Sequence, residues 1–449
     1  MTEFSQLNLH PSLGRAIDKL GFTQATDVQA KTIPAVMQGN DIMVSARTGS
    51  GKTGAFVLPM LHRFLLDPQN KTATRALILV PTRELALQTV KSFESFAAYT
   101  QIKIGRIMGG EAYRHQVATL RKNPEVLVAT PGRLVEHIKN GNIDFSDLEI
   151  LVLDESDRML DMGFKEAMHT IAEACSPTRQ NLLFSATLKH KGIGGITGLL
   201  KNPERIQIDD AKDGHANITQ QRVLADDDRH KEKLIVRLVE EQEAERVIVF
   251  CATRLQCQKV SNMLRANKLV SEYIHGEVEQ NDRKQLLNRF RDGKIRVLVA
   301  TDVAARGLDI SDVDMVINHS IAFSGDDHVH RVGRTGRADK EGLAITLVGP
   351  NEWNVMSSIE RYLNIRLTPR KVTGLEAQYA GPKKLKSSGK AAGPKKKKSN
   401  LATGKAGKKT TGKKSTAAKK TQPKRAPKAA SRTPLGDGLS PLRRKKPSD

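Results

Sequence analysis

The sequence predicts an α/β chain of two tandem parallel-sheet domains with a disordered basic C-terminal tail. Three observations carry that reading. Short continuous apolar runs alternate with amphipathic helical segments, the pattern of parallel sheets covered by helices. The alternation occurs twice, on either side of a polar, glycine-containing stretch, DDAKDGHAN, at 209–217. The charge is also unevenly spread. The chain has 73 Lys+Arg against 49 Asp+Glu, a net of +24. Residues 380–449 hold 23 of the basic and two of the acidic side chains, or +21, which leaves only +3 for everything before them. The expected boundaries are a first domain at 1–208, a linker at 209–217, a second domain at 218–370 and a tail at 371–449.

In chain order, Leu13, Ile17 and Leu20 share one face of an N-terminal helix. Strands are expected at 42–46, 76–80, 126–129, 150–153 and 182–184 in the first half. The second half repeats the theme at 247–251, 297–300, 315–317 and 343–348. These runs are apolar throughout, as strands buried on both faces must be. Two such domains make a cleft between them. The tail after residue 380 lacks Ile, Val, Phe, Tyr and Trp, so it has little with which to build a core. A polycation of that kind binds polyanions by counterion release; the bland alternative is a solubilising extension. The N-terminus carries Glu3 and no basic-then-apolar signal pattern, and no apolar run reaches the roughly 18–20 residues of a membrane span. Three cysteines, Cys175, Cys251 and Cys257, are an odd number without zinc spacing. They read as free thiols in a reducing compartment, so a cytoplasmic protein with no membrane partner is expected.

Chemistry concentrates first in ARTGSGKT at 46–53. Gly49 and Gly51 let backbone N–H groups come close to phosphate oxygens, with Ala46, Thr48 and Ser50 completing the cradle. Lys52 would neutralise β- and γ-phosphates, and the Thr53 hydroxyl would ligate Mg²⁺. The general pattern opens with Gly where Ala46 stands, and an ordinary glycine turn is the alternative. About a hundred residues on, LVLDESD places Asp154 and Glu155 after an apolar strand, where open α/β sheets bind ligands. In isolation these carboxylates would read as an acidic helix start. Following a phosphate loop, they read as the magnesium and water site, so ATP and Mg²⁺ are the expected cofactors. HRVGRTGR at 330–337 is by itself a basic surface loop; opposite a phosphate loop it can supply guanidinium groups.

With these motifs in order, residues 4–350 resemble the DEAD-box RNA helicases of superfamily 2. The resemblance rests on Phe4 with GFTQATDVQ (21–29), ARTGSGKT, PTRELA (81–86), GG (109–110), TPGR (130–133), DESD (154–157), SAT (185–187), QNDR (280–283), ATDVAARGLD (300–309) and HRVGRTGR. It implies RecA-like domains and RNA-stimulated ATP hydrolysis that locally unwinds or remodels structured RNA. It implies that Gln29 reads the adenine edge beside Phe22, and that Asp309 lies near the ribose. Asp154 would hold Mg²⁺ largely through water, and Glu155 would orient or deprotonate the attacking water. Arg334 and Arg337 would be arginine fingers. Asp157, Ser185, Thr187 and His330 would couple hydrolysis to strand separation. Arg83, Gly110, Thr130, Arg133, Arg283 and Thr301 would line the RNA backbone path.

Three departures stand out: Ser156 for the Ala of the family name, Ala25 for a proline, and His328 for an aromatic residue. Ser156 is expected to add a hydroxyl beside the magnesium site. The short N-terminus, SGDDHVHRVGRTGR and the lysine-rich tail are similar to bacterial helicases of large-ribosomal-subunit assembly. That likeness implies a monomer acting on ribosomal RNA among ribosomal proteins. The alternatives are an RNA chaperone or annealing protein acting through the tail, and a DNA-directed helicase of the same superfamily.

Overall fold

A computed structural model describes residues 2–46, 49–68, 74–188, 190, 192–208, 217–305, 313–336 and 341–391. Thr48, Asp309, Arg337, all but the last residue of the expected linker 209–217, and the tail from 392 lie outside the described residues.

A short antiparallel pair, β1 (Thr2–Glu3) and β2 (Gln24–Ala25), opens the chain and brings Phe4 into the first core. The first sheet follows: β3 (Ile42–Ser45), β4 (Ala76–Leu79), β5 (Ile104–Ile107), β6 (Val126–Ala129), β7 (Ile150–Leu153), β8 (Gln180–Ser185) and β9 (Glu204–Gln207). The second holds β10 (Ile218–Leu224), β11 (Val247–Cys251), β12 (Ser271–Ile274), β13 (Val297–Thr301), β14 (Met315–Asn318), β15 (Gly342–Val348) and β16 (Thr368–Arg370). Both are seven-stranded, and every pairing in them is parallel.

The spatial orders are β5-β6-β4-β7-β8-β3-β9 and β12-β13-β11-β14-β15-β10-β16. Numbered within its own lobe, each sheet runs third, fourth, second, fifth, sixth, first, seventh. The repeat read from the apolar runs is therefore a repeat of topology.

Alternation explains why the central strands are apolar throughout. Ala76 and Ile78 enter one core while Leu77 and Leu79 enter another on the opposite face. Val247, Val249 and Cys251 likewise separate from Ile248 and Phe250. The strands absent from the sequence reading lack this signature. β5 (IGRI) and β9 (ERIQ) are edge strands with exposed positions. β16 (TPR) contains Pro369, which an edge tolerates because one side needs no ladder donor. β10 carries Gln220, Gln221 and Arg222 in its middle.

The tail boundary expected at 371 falls too early. Residues 371–391 lie along the second lobe as a strap. Asp226 accepts the backbone N–H groups of Gln378 (3.1 Å) and Tyr379 (2.7 Å). The Trp353 indole donates to the Gly389 carbonyl at 3.1 Å, and Ala391 N–H donates to Asn354 at 2.8 Å. Most of these attachments are backbone groups, which composition does not reveal, and Val372 adds a side chain buried in the second-lobe core with Leu375 packed against it.

Candidate nucleotide and RNA sites

The phosphate loop leaves the end of β3 and enters the helix Lys52–Leu66. Gly49 and Gly51 have φ of 84° and 93°, left-handed values that favour glycine. Lys52 is buried, and its ammonium donates to the Ala46 carbonyl at 2.6 Å. Thr53 and Ser50 are partly exposed beside it. Gln29 belongs to a capping box at the start of the helix Asp27–Met37, where its Oε1 accepts from Thr26 N–H at 3.0 Å. Its Nε2 donates to the Gly51 carbonyl at 3.2 Å. A Cβ at Gly51 or Gly54 would come within 2.8 or 2.7 Å of that nitrogen, so glycine is needed there too. The Gln29 amide thus ties helix to phosphate loop and keeps one lone pair and one N–H for a further partner. Phe22 is half-exposed, with its ring 6.4 Å from that of Phe96.

The carboxylates emerge at the end of β7. Asp154 is buried, and its Oδ1 accepts from Glu155 N–H at 2.9 Å. Burial first, then the neighbouring Glu155 charge, raises its pKa to about 7 against the pull of Lys52. Glu155 is a non-glycine residue at φ 47°, a strained backbone held at the head of the helix Ser156–Asp161. Burial pushes its pKa up, but the charge and hydrogen bond of Arg158, then Lys52 and His330, outweigh it and bring it down to about 2. Asp157 accepts from Ala186 N–H (3.1 Å) and Thr187 N–H (3.3 Å), and Ser185 Oγ donates to the Thr187 carbonyl at 2.7 Å. The expected grouping of Asp157, Ser185 and Thr187 is therefore present. Ser156 differs from expectation. Its hydroxyl donates to the Phe184 carbonyl at 3.0 Å and is fully buried, because this side of the short helix faces β8 rather than the site.

These donors suit Mg²⁺. Among the described residues no group of three or more His, Cys, Asp or Glu side chains could hold a metal ion. Mg²⁺ needs no such cage, since it keeps waters and uses one or two carboxylates with substrate phosphates. A buried carboxylate whose pKa desolvation has raised is one that a dication returns to its charged form.

The second lobe closes the site. His330, on the helix Gly325–Val332, has its pKa lowered by burial, with Asp157 of the first lobe opposing. Arg334 donates from Nε to the His330 carbonyl at 3.2 Å. Lys52, Glu155, Asp157, Arg158 and Ala186 line one cavity with His330 and Arg334. Arg331 has another task. It grips Asp302 through two bonds of 2.6 and 2.7 Å, donates to the Ser320 carbonyl at 2.6 Å, and lies 5.2 Å from the Phe250 ring. His328 is buried and bonds Gln220 at 2.9 Å, filling the place of an aromatic residue with a polar link to β10.

In the first sheet the candidate RNA residues occupy the other half. Arg83, Gly110 and Thr130 follow β4, β5 and β6, whereas the nucleotide residues follow β3, β7 and β8. Gly110 has φ 74°, and a Cβ there would overlap the Arg83 guanidinium. Thr130 Oγ1 accepts from Gly109 N–H at 3.3 Å. Arg133 donates to the Glu111 carbonyl at 3.2 Å and lies 5.6 Å from the Tyr113 ring, which stacks on His137. In the second lobe, Thr301 Oγ1 accepts from Ala304 N–H at 3.4 Å. Arg283 donates to the Ala304 carbonyl and reaches Glu84 of the first lobe at 3.2 Å. Glu84 and Arg158 were not singled out in the sequence. Arg158 sits three residues after Glu155 on a helix, a spacing that could have flagged it. Glu84 meets Arg283 across the lobes, a pairing that no local spacing announces.

A fold of two matched parallel-sheet lobes, with a phosphate loop facing an arginine across the cleft, defines a nucleotide-driven motor domain. Comparison with known proteins gives the family. The DEAD/DEAH box helicase family matches residues 26–193, and the helicase conserved C-terminal domain matches 230–339. The ATP-dependent RNA helicase SrmB of Haemophilus influenzae is 39% identical over 85% of this chain and 88% of its own length. That of Escherichia coli is 40% identical over 85% and 86%. The solved structure of S. cerevisiae Dbp5 bound to RNA and ADP BeF3 matches with a TM-score of 0.74 and 27% identity, over 82% of this chain and 96% of that one. The chain belongs to the DEAD-box family of ATP-dependent RNA helicases: it binds RNA, uses ATP and is built on two RecA-like domains.

Proposed function

We propose that the chain works as a two-state clamp in which ATP and RNA each favour closure of the lobes and so raise one another's affinity. The single observation that carries this reading is the cavity lined by Lys52, Glu155, Asp157 and Arg158 from one lobe and His330 and Arg334 from the other. Hydrolysis then depends on closure.

In this reading Lys52 neutralises the β- and γ-phosphates, while Thr53 and Asp154 hold Mg²⁺, which when bound offsets phosphate charge. Glu155, held near pKa 2, is a weak base at neutral pH. Its task is to accept a hydrogen bond from the attacking water and aim it. Arg334, with Arg337, steadies the transferring phosphoryl group, an effect worth about 10³–10⁵ in rate. Gln29 uses its remaining donor and acceptor on adenine beside Phe22, and Asp309 takes the ribose. Arg83, Gly110, Thr130, Arg133, Arg283 and Thr301 grip phosphates and sugars, so sequence choice is weak and closure bends one strand out of a short duplex.

One chain supplies both walls of the cavity, which supports a monomer as the working unit. The finer reading is a cytoplasmic helicase acting on structured ribosomal RNA beside ribosomal proteins. It is supported by the +21 segment at 380–449 and by likeness to the SrmB helicases. ATPase and duplex unwinding with RNA or DNA as activator test the core reading. Lys52→Ala should abolish both activities, and single-stranded RNA should stimulate ATPase where DNA does not. Full remodelling by Lys52→Ala, lost on deleting 380–449, would establish the chaperone instead. Crosslinking in cells with a Glu155→Gln trap tests the ribosomal target, and recovery of mainly non-ribosomal RNA would exclude it.

A further inference from the structure

Arg158 stands third in the helix Ser156–Asp161 and is buried, its side chain only 6% exposed. Its Nη1 donates to Glu155 Oε2 at 2.5 Å. Its Nε and Nη2 are buried as well, and neither makes a hydrogen bond. A guanidinium carries five N–H donors in a rigid fork, and charged donors left unmet inside a protein are costly. The same residue lines the cavity shared by Lys52, Glu155, Asp157, His330 and Arg334. Lys52, Arg158 and Arg334 there face the carboxylates of Glu155 and Asp157, a net positive charge that favours an anion.

We propose that Arg158 is a ligand of the product phosphate: Nη1 keeps Glu155 in place while Nε–H and Nη2–H receive the orthophosphate that hydrolysis splits from ADP. The physical reason is the direction of the reaction. ATP and water give ADP and an orthophosphate whose fourth oxygen comes from the water. The new P–O bond forms opposite the one that breaks. Phosphorus therefore moves away from ADP and toward the residue that aimed the water. That residue is Glu155, and Arg158 is the side chain bonded to it. The unused donors of Arg158 meet the phosphate where it arrives, while Lys52 stays with the phosphates of ADP. Arg334 of the second lobe lines the same cavity, so phosphate held there delays reopening of the lobes.

The proposal rests on the clamp reading, and its test separates the two. Full-length protein is used with saturating RNA at constant ionic strength, because RNA binding depends on salt. Single-turnover cleavage is followed by acid quench, and release by a fluorescent phosphate sensor. Inorganic phosphate is then titrated against steady-state ATPase. In the wild type, release should lag cleavage and added phosphate should slow turnover. Arg158→Lys keeps a cation beside Glu155 and removes the fork that carries the further donors. It should raise the phosphate inhibition constant by about tenfold, the scale of one lost hydrogen bond to a charged group. The lag should shorten to match, with ADP affinity and Tm at wild-type values. A variant that cleaves more slowly but keeps the wild-type inhibition constant would overturn the proposal and leave Arg158 as a support for Glu155 alone. A wild type whose release keeps pace with cleavage and whose turnover ignores added phosphate would overturn it whatever the variant does. A wild type whose cleavage RNA does not stimulate would overturn the clamp and the phosphate site together.

Discussion

Asp154 and Glu155 are adjacent and oppositely tuned, Asp154 buried and Glu155 with its side chain partly exposed. The folded pKa of Asp154, about 7, lies above its ordinary 3.8, so the folded chain holds an extra proton between those values. Stability from this group is present below the ordinary value and is lost as pH rises through about 7. Glu155 has the reverse sign. With a folded pKa of about 2 against 4.5, its contribution is present above 4.5 and is lost as pH falls toward 2. Asp154→Asn should therefore raise Tm relative to the parent at about pH 8 and not at about pH 4, while abolishing ATPase; thermal melts at the two pH values check this. In the proposed reading Asp154 holds Mg²⁺ in its ionised form, so the apparent affinity for Mg–ATP should weaken by up to about tenfold per pH unit below 7, with proton release on binding measurable by calorimetry. Ser156 marks the limit of reading a residue from its neighbours in sequence. Its hydroxyl serves the Phe184 carbonyl, so Ser156→Ala should cost about 1 kcal/mol of stability and leave kcat within about an order of magnitude; a larger kcat loss would place the hydroxyl in the site after all.

At the scale of elements, what was legible is what obeys the two-faced burial rule. β3, β4, β6, β7, β11 and β13 announce themselves as apolar runs, and the candidate nucleotide motifs stand at the ends of β3 and β7. β5, β9 and β16 are edges, and their mixed composition carries no such signal. The strap at 371–391 escapes the sequence for a related reason: apart from Val372 and Leu375, its attachments are largely backbone groups meeting Asp226, Asn354 and Trp353. Contacts between lobes, such as Glu84 with Arg283, depend on docking and leave no local pattern. The strap makes a sharp prediction. Truncation after Ala391 should leave thermal stability unchanged. Truncation after Arg370 should lower Tm by roughly 5–10 °C, since several hydrogen bonds and the cover on Trp353 are lost together. Trp353 is the chain's single tryptophan, so its emission should shift to the red only in the shorter form.

For the whole molecule, charge and topology divide the labour. Residues before 380 carry only +3, so the core must recognise RNA by placed groups, whereas the segment after them supplies a strong, sequence-blind field. Deleting 392–449 should make the dependence of RNA binding on salt markedly shallower and leave kcat at saturating RNA unchanged; titrations across a salt series decide it. In the proposed reading the first sheet carries nucleotide residues after β3, β7 and β8 and RNA residues after β4, β5 and β6, and one closing motion completes both sites. The most direct measurement of that claim is the distance between fluorophores placed on exposed positions of the two lobes, followed in single molecules. Saturating RNA together with a non-hydrolysable ATP analogue should hold the distance short, with neither ligand alone sufficient. A distance distribution that is the same with no ligand, with either one and with both would contradict it.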